Sequence, residues 1–490
     1  YPMAVEGVCD ILSGLGLTSY LRSLRQILGF AVLLTAAWVI CCLLLARTFP
    51  EPRTHDESSY LLGADTFAHG RLASPAHPLA RFFASPHILV EPVYAPKYPP
   101  GQALFLGLGQ RLFGSPYYGV VIECAFMIFT LAVALEVWAK PVFARVIAVV
   151  IAACTLPPMY WSYSYWGGAA AASGGALILI AIGYARRNPV AIQGFVFSLG
   201  AVLLFYTRPF EGAVFVVGAL LLFSSDLRRN FRWRMLWAAI PMAAIGLGFT
   251  AYYNKSITGS ATMLPYVMFD QKHNVTPPFW FLPLRPEPVY AHPRLASQHG
   301  SQGWEEREYS QHKPWYMGLK IGFFNSFRAL LVVVGLRLHR VDFAILAVLA
   351  LLGWRDRTLR RMGALVVLSL VVMTFESWHF THYAAPVLAA LAAFIAMWAD
   401  HLWMFRPRGI PLGPVYRDSA ADDPVLESLP SRISLCVHMD QQAGIVDSGS
   451  CGARPAATCD CAISDAGYDS RAGVGLQRCG DRRAARDFRT

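Results

Sequence analysis

The chain has 490 residues, 55% of them hydrophobic and 15% charged, with a formal net charge of +11 and a mean hydropathy of +0.41. Soluble globular domains carry about 25% charged residues, so the composition excludes an ordinary soluble protein and reads as an all-α polytopic membrane protein. The positive charge sits mostly in turns between apolar runs and in the C-terminal segment, without aromatic-basic interleaving. It therefore suits an anionic membrane surface and gives no nucleic-acid interface.

Residues 1–26 precede the first apolar run, 27–46, which is uncharged and long enough to cross roughly 30 Å of hydrocarbon as a helix. Arg22 and Arg25 before it place the N-terminus in the cytoplasm. The run is too long for the core of an ordinary cleaved signal, so it is expected to remain as a helix. Further apolar runs lie near 116–138, 143–160, 167–185, 190–207, 209–224, 235–253, 341–354, 361–377 and 382–404, which makes about ten spans and puts both ends in the cytoplasm. Arg186 and Arg187, the cluster 228–234, the cluster 355–361, and Arg406 with Arg408 then share the cytoplasmic side. Residues 315–335 are also long enough to span. Lys320, Asn325 and Arg328 interrupt the first half, however, and a crossing there would turn 355–361 outward, so that half reads as an interfacial helix.

Two outer loops, 47–115 and 254–316, exceed the length of unstructured connections and are expected to carry function or their own structure. The membrane domain ends near 405. Residues 413–490 lose all apolar periodicity and read as a disordered cytoplasmic tail or an out-of-frame segment. Five cysteines lie there (Cys436, Cys451, Cys459, Cys461 and Cys479), without the paired spacing of a zinc site.

The first outer loop carries the chemistry. In Arg53-Thr54-His55-Asp56-Glu57-Ser58-Ser59-Tyr60 the Thr54-x-x-Glu57 spacing predicts a capping box. A short amphipathic helix follows, ending near His69-Gly70. Glu57 is then a cap or an orienting group. Asp56 is a favourable charge on a helix N-terminus or a base at the membrane surface. Lys97, in Pro96-Lys97-Tyr98-Pro99-Pro100, has its backbone confined to extended geometry, so its ammonium is aimed either at a lipid phosphate or simply at headgroups. Arg208, between two apolar runs in Thr207-Arg208-Pro209, needs a partner: Glu211 or a phosphate. Histidines are frequent in the outer segments, yet none has H-E-x-x-H or a comparable spacing. No metal ligand and no cofactor is assigned, and a divalent metal is left open.

The acidic pair Asp56-Glu57 after the first span, Lys97-Tyr98-Pro99-Pro100 leading into 104–121, and the hydropathy over 25–405 resemble the GT-C membrane glycosyltransferases. Within these the branch resembled contains the protein O-mannosyltransferases and the lipid A aminoarabinose transferases (glycosyltransferase family 39-like). Residues 206–211, 254–266 and 382–386 also look like bacterial members. The resemblance implies a helical bundle of about ten spans whose large outer loops bear interfacial helices, in the plasma (inner) membrane of a bacterium. It further implies inverting transfer of a hexose or pentose from a polyprenyl-phosphate donor to a lipid, glycan or protein acceptor of the cell envelope. Asp56 would be the general base and Glu57 would orient it. Lys97 and Arg208 would hold the donor phosphate, Tyr60, Tyr98 and His382 would contact substrate, and the loop 254–316 would choose the acceptor. A lipid or solute transporter is the alternative, since interrupted helices such as that at Thr207-Arg208-Pro209 also serve transport; no matching interruption occurs in the other half of the chain.

Overall fold

The computed structural model describes residues 17–187, 189–333 and 356–404. The expected span 341–354 and the tail 413–490 lie outside the described residues, as does the N-terminal stretch before 17. The first long helix is α1 (Leu17–Leu45). Helix α2 (His55–Ala68) starts on the expected capping box at Thr54 and Glu57. The chain leaves it through His69 and Gly70, the latter at φ 72°, where only a residue without Cβ sits freely. Three short antiparallel strands follow in the order β1-β3-β2, namely β1 (Ser74–Pro75), β2 (Ile88–Leu89) and β3 (Val93–Pro96). The proline-stiffened stretch after β3 then feeds α3 (Gly101–Phe113).

The central helices are α4 (Tyr117–Trp138), α5 (Pro141–Cys154), α6 (Ala169–Arg187), α7 (Ile192–Thr207) and α8 (Pro209–Leu222). After the short α9 (Ser224–Arg229) comes α10 (Trp233–Thr258). The late loop holds α11 (Pro265–His273), α12 (Pro293–His299) and α13 (Trp304–Ser310). It leads to α14 (Trp315–Val333), α15 (Arg357–Met373), a 3-10 turn Thr381–Val387 and α16 (Leu388–Met404). Both large loops thus carry structure of their own.

Among the described residues, five helical segments are long and apolar enough to cross a membrane: Ser23–Leu45, Tyr117–Trp138, Ala169–Arg187, Trp233–Thr258 and Thr381–Met404. They coincide with five of the expected spans. Helices α5, α7 and α8 are apolar but shorter, and 14 residues rise only about 21 Å. The run expected at 143–160 stops at Cys154. There Thr155 Oγ1 turns back to Ala152 O at 2.8 Å, and Pro157 and Pro158 have no N–H with which to continue the ladder. Residues 361–377 likewise end as helix at Met373, and the last run begins as a 3-10 turn around Pro386.

Burial separates two kinds of apolar helix. The most apolar windows of α4 and α6 are 78% and 89% buried inside the protein, whereas those of α1 and α10 are 22% and 6% buried. Trp237, Ile245 and Leu247 of α10 stand bare. Apolar flanks of this extent are consistent with a membrane protein, for which lipid is the solvent.

The basic turns meet at one end of the bundle. Arg186 pairs with Asp226 at 2.6 Å and Arg361 pairs with the same carboxylate at 2.9 Å. Burial pushes Asp226 up, but the hydrogen bonds and charges of the two arginines outweigh it and hold the carboxyl below its ordinary range. Arg186 also lies 4.9 Å over the ring of Trp138, the last residue of α4. Tyr117, the first residue of α4, packs instead on Phe49 of the first loop, with ring centroids 5.3 Å apart. The 22 residues between rise about 33 Å, so the arginine end and the first loop sit at opposite ends of α4.

Helices α3 and α4 cross with backbones in contact. A Cβ on Gly119 would fall 2.2 Å from Phe105 O and 2.4 Å from Leu106 Cα. Gly119→Ala is expected to force α3 away and to destabilise the protein by about 1–3 kcal/mol. A lower apparent unfolding temperature in detergent, against an unchanged value for Gly248→Ala, where a Cβ meets nothing within 4 Å, is the measurement.

Candidate active site where the two loops meet

Asp56 lies in the first turn of α2, where free backbone N–H groups favour a negative charge. Tyr98 donates its hydroxyl to Asp56 Oδ1. The Tyr98 ring stacks on Tyr60 at 4.7 Å. Burial first, and then the Asp56 charge, push the Tyr98 phenol well above its ordinary range, which keeps it a donor. The other carboxylate oxygen, Oδ2, lies 3.8 Å from His87 Nε2, and the Asp56 side chain remains 24% exposed. One oxygen of this carboxylate is therefore fixed, while the side chain as a whole stays partly open.

His87 is held in an uncommon backbone conformation, φ 65°. Its carbonyl accepts from Ser59 Oγ at 2.7 Å and from Lys97 N at 3.1 Å. One residue thus ties α2 to the strand that presents the lysine. Burial, reinforced by Lys97 and His299, lowers its pKa well below the usual imidazole range, so the ring is neutral.

Glu57 takes a different part from its neighbour. It is 3% exposed. Its Oε2 accepts from Arg53 N at 2.6 Å and Thr54 N at 3.2 Å, and its Oε1 accepts from Tyr165 N at 2.9 Å. The carboxylate is fully engaged in fixing the start of α2 and the turn after α5, and through them the position of Asp56. Replacing it by Gln swaps one accepting oxygen for an NH2 facing a backbone donor. Glu57→Gln is expected to cost about 2–4 kcal/mol, read as a fall in apparent unfolding temperature, while Glu57→Asp recovers part of the loss.

Lys97 is 4% exposed. Its ammonium lies 5.1 Å from the ring centroid of Tyr98, 5.2 Å from that of Tyr266 and 4.9 Å from that of Phe269. Among the described residues no carboxylate lies within ion-pair distance of it, and its surroundings are aromatic faces. Burial lowers its pKa, opposed by the more distant charges of Glu305, Asp56 and Asp270. Cation–π contact offsets part of the lost hydration, but a dehydrated ammonium without a direct ion-pair partner among the described residues still favours an arriving anion.

The late loop supplies two walls of this box from α11. Leu89, Ala95, Tyr253, Ile257 and Phe269 form a small apolar core of their own, which packs the strands of the first loop against α10 and α11. Asp270, next to Phe269, is anchored to Arg285 of the same loop.

Arg208 stands between α7 and α8, with Nη1 3.8 Å from Glu211 Oε1 and its guanidinium 4.5 Å over the Tyr383 ring. The expected Arg208–Glu211 pair therefore forms, though at the long end of the range. His382 is 2% exposed. It bonds to the Tyr160 hydroxyl and lies parallel to the rings of Tyr160 and Phe380. The structure thus brings Asp56, Tyr98, Tyr60 and Lys97 into one cluster. Arg208 and His382 are joined to each other through Tyr383, whose ring centroid is 5.1 Å from that of His382.

Three residues that carry no short-range motif also meet here. His87, His299 at the end of α12 and Glu305 in the first turn of α13 are all buried, with ligating atoms within 4.8 Å of one another. They are far apart in the chain, so spacing could not find them; the only available signal was the density of histidines in the two large loops. The chain matches no protein-family model, and no curated protein is detectably similar to it in sequence.

Proposed function

We propose that the protein is a membrane glycosyltransferase of GT-C type, with about ten spans. It transfers a sugar from a polyprenyl-phosphate donor to a hydroxyl acceptor at the outer face of a bacterial inner membrane. The observation that carries this reading is the pairing of a partly exposed carboxylate with a buried ammonium that has no ion-pair partner among the described residues, both in contact with one residue, Tyr98. In the reaction the acceptor hydroxyl gives its proton to Asp56 as its oxygen bonds to the anomeric carbon. The bond from that carbon to the donor phosphate breaks on the opposite side, which inverts the centre. The electron pair leaves with the phosphate, whose charge Lys97 stabilises in a partly dehydrated box, with Arg208 as the second cation. Glu57 acts on this chemistry only by fixing the helix that bears Asp56.

The test uses the full-length protein in lipid nanodiscs, offered a panel of polyprenyl-phosphate sugars labelled in the sugar. Release of polyprenyl phosphate with label in an acceptor or in water supports the reading. No turnover of any donor, together with uptake of labelled solute or lipid into proteoliposomes, would replace it by the transporter.

A further inference from the structure

We propose that His87, His299 and Glu305 form a site for one divalent transition-metal ion, with the donor set of zinc, that fastens the first loop to the late loop beside Asp56. His87 is 5% exposed, His299 is fully buried and Glu305 is 4% exposed. Each nonetheless has an unsatisfied polar atom: His87 Nδ1, both ring nitrogens of His299, and Glu305 Oε2. His299 Nδ1 does lie 2.9 Å from Glu305 Oε1, but without the geometry of a hydrogen bond. Buried polar atoms are nearly always paired. Several unpaired ones from three residues, converging within 4.8 Å, describe a ligand set.

The chemistry of the donors narrows the ion. Two imidazoles and one carboxylate suit zinc and its first-row neighbours, whereas magnesium and calcium take oxygen donors. Ligands held about 2.0–2.1 Å from zinc sit about 3.3 Å from one another, so binding draws in the outermost of the three by up to about 1.5 Å. Three protein ligands leave a position for water or substrate oxygen. Histidines on metals commonly use their second nitrogen on a carboxylate, and His87 already has Asp56 Oδ2 3.8 Å from Nε2.

The frame is fixed on both sides. The His87 carbonyl is held by Ser59 and Lys97. The His299 carbonyl accepts from Val275 N at 3.1 Å, and a turn closed by Gly303 N to Gly300 O at 2.9 Å connects it to Glu305. Asp56, Glu305 and Asp270 offset the charge of Lys97 in the same region. Metal at this point would cross-link segments more than 200 residues apart in the chain, binding the loop that carries Asp56 to the loop that walls the lysine box.

The experiment is metal analysis of full-length protein without a histidine tag, equilibrated with zinc chloride, freed of loose metal by gel filtration and measured by mass spectrometry. A cobalt chloride parallel is read by visible absorption. The expected result is about one zinc per chain and the d–d bands of low-symmetry cobalt without thiolate charge transfer. His299→Ala and Glu305→Gln should each weaken retention by more than about tenfold, a scale that even the loss of an outer-shell partner reaches. Glu305→Gln keeps the side-chain volume and remains informative if His299→Ala does not fold. Wild-type protein with under about a tenth of an equivalent and no cobalt bands overturns the proposal. Undiminished zinc in Glu305→Gln, or cobalt–thiolate absorption pointing to the cysteines, overturns it equally. Because metal content is the readout, the result stands apart from whether any sugar donor is turned over.

Discussion

Asp56→Asn is expected to lower transfer from a polyprenyl-phosphate donor by about 10²–10⁴-fold, the contribution of a positioned general base. The substitution keeps the shape of the side chain and leaves an oxygen for the Tyr98 hydroxyl. The first turn of α2 still rests on Thr54 and Glu57, whose hydrogen bonds do not involve Asp56. The lost helix-end charge and the weaker, neutral acceptor for Tyr98 should together cost no more than about 1–2 kcal/mol of stability, so that expression and detergent behaviour stay close to wild type. Donor binding, measured by displacement of a labelled lipid phosphate, should be nearly intact. Normal turnover by purified Asp56→Asn protein would reduce Asp56 to a favourable charge at a helix end.

Lys97→Met is expected to separate activity from stability in the opposite sense to a structural substitution. Methionine keeps the length of the stem among Tyr98, Tyr266 and Phe269 but removes a buried charge that has no ion-pair partner among the described residues. The fold should be unchanged or more stable, by about 1–2 kcal/mol, since burying an unpaired charge is costly. Catalytic efficiency toward a lipid-phosphate donor should fall by about 10- to 10²-fold, the worth of a charge-assisted contact of about 1.5–3 kcal/mol to the phosphate. Initial rates against donor concentration, read beside thermal unfolding, give the answer. If rate and stability fall together, the lysine is part of the scaffold; if neither changes, it only faces headgroups.

Features set by short-range sterics and hydrogen bonding were legible in the sequence. The Thr54–Glu57 spacing marked the start of α2, and His69-Gly70 marked its end. The prolines around Lys97 marked extended backbone at that residue, but neither the strand before it nor the helix after it was foreseen. Apolar runs located the long helices, though their lengths misled where a proline pair followed Cys154 or Pro386 delayed the last helix. The expectation that Glu57 and Asp56 differ in role followed from the capping box, but Tyr165 as a further partner of Glu57 did not. Contacts of that kind, like the meeting of His87 with His299 and Glu305, join irregular segments that have no period to read. For the same reason Tyr266 and Phe269 were invisible as walls of the lysine box.

The sharing of that box has a consequence for chimeras. Two of the three rings around Lys97 belong to the late loop, and the third belongs to the residue that grips Asp56. On the proposed function, a graft of 254–316 from another protein, made to change the acceptor, would also replace the surroundings of the cation assigned to the donor phosphate. Recognition of the two proposed substrates would then be inherited as a unit. An exchange that alters one without the other must retain Tyr266 and Phe269 and vary the loop beyond them.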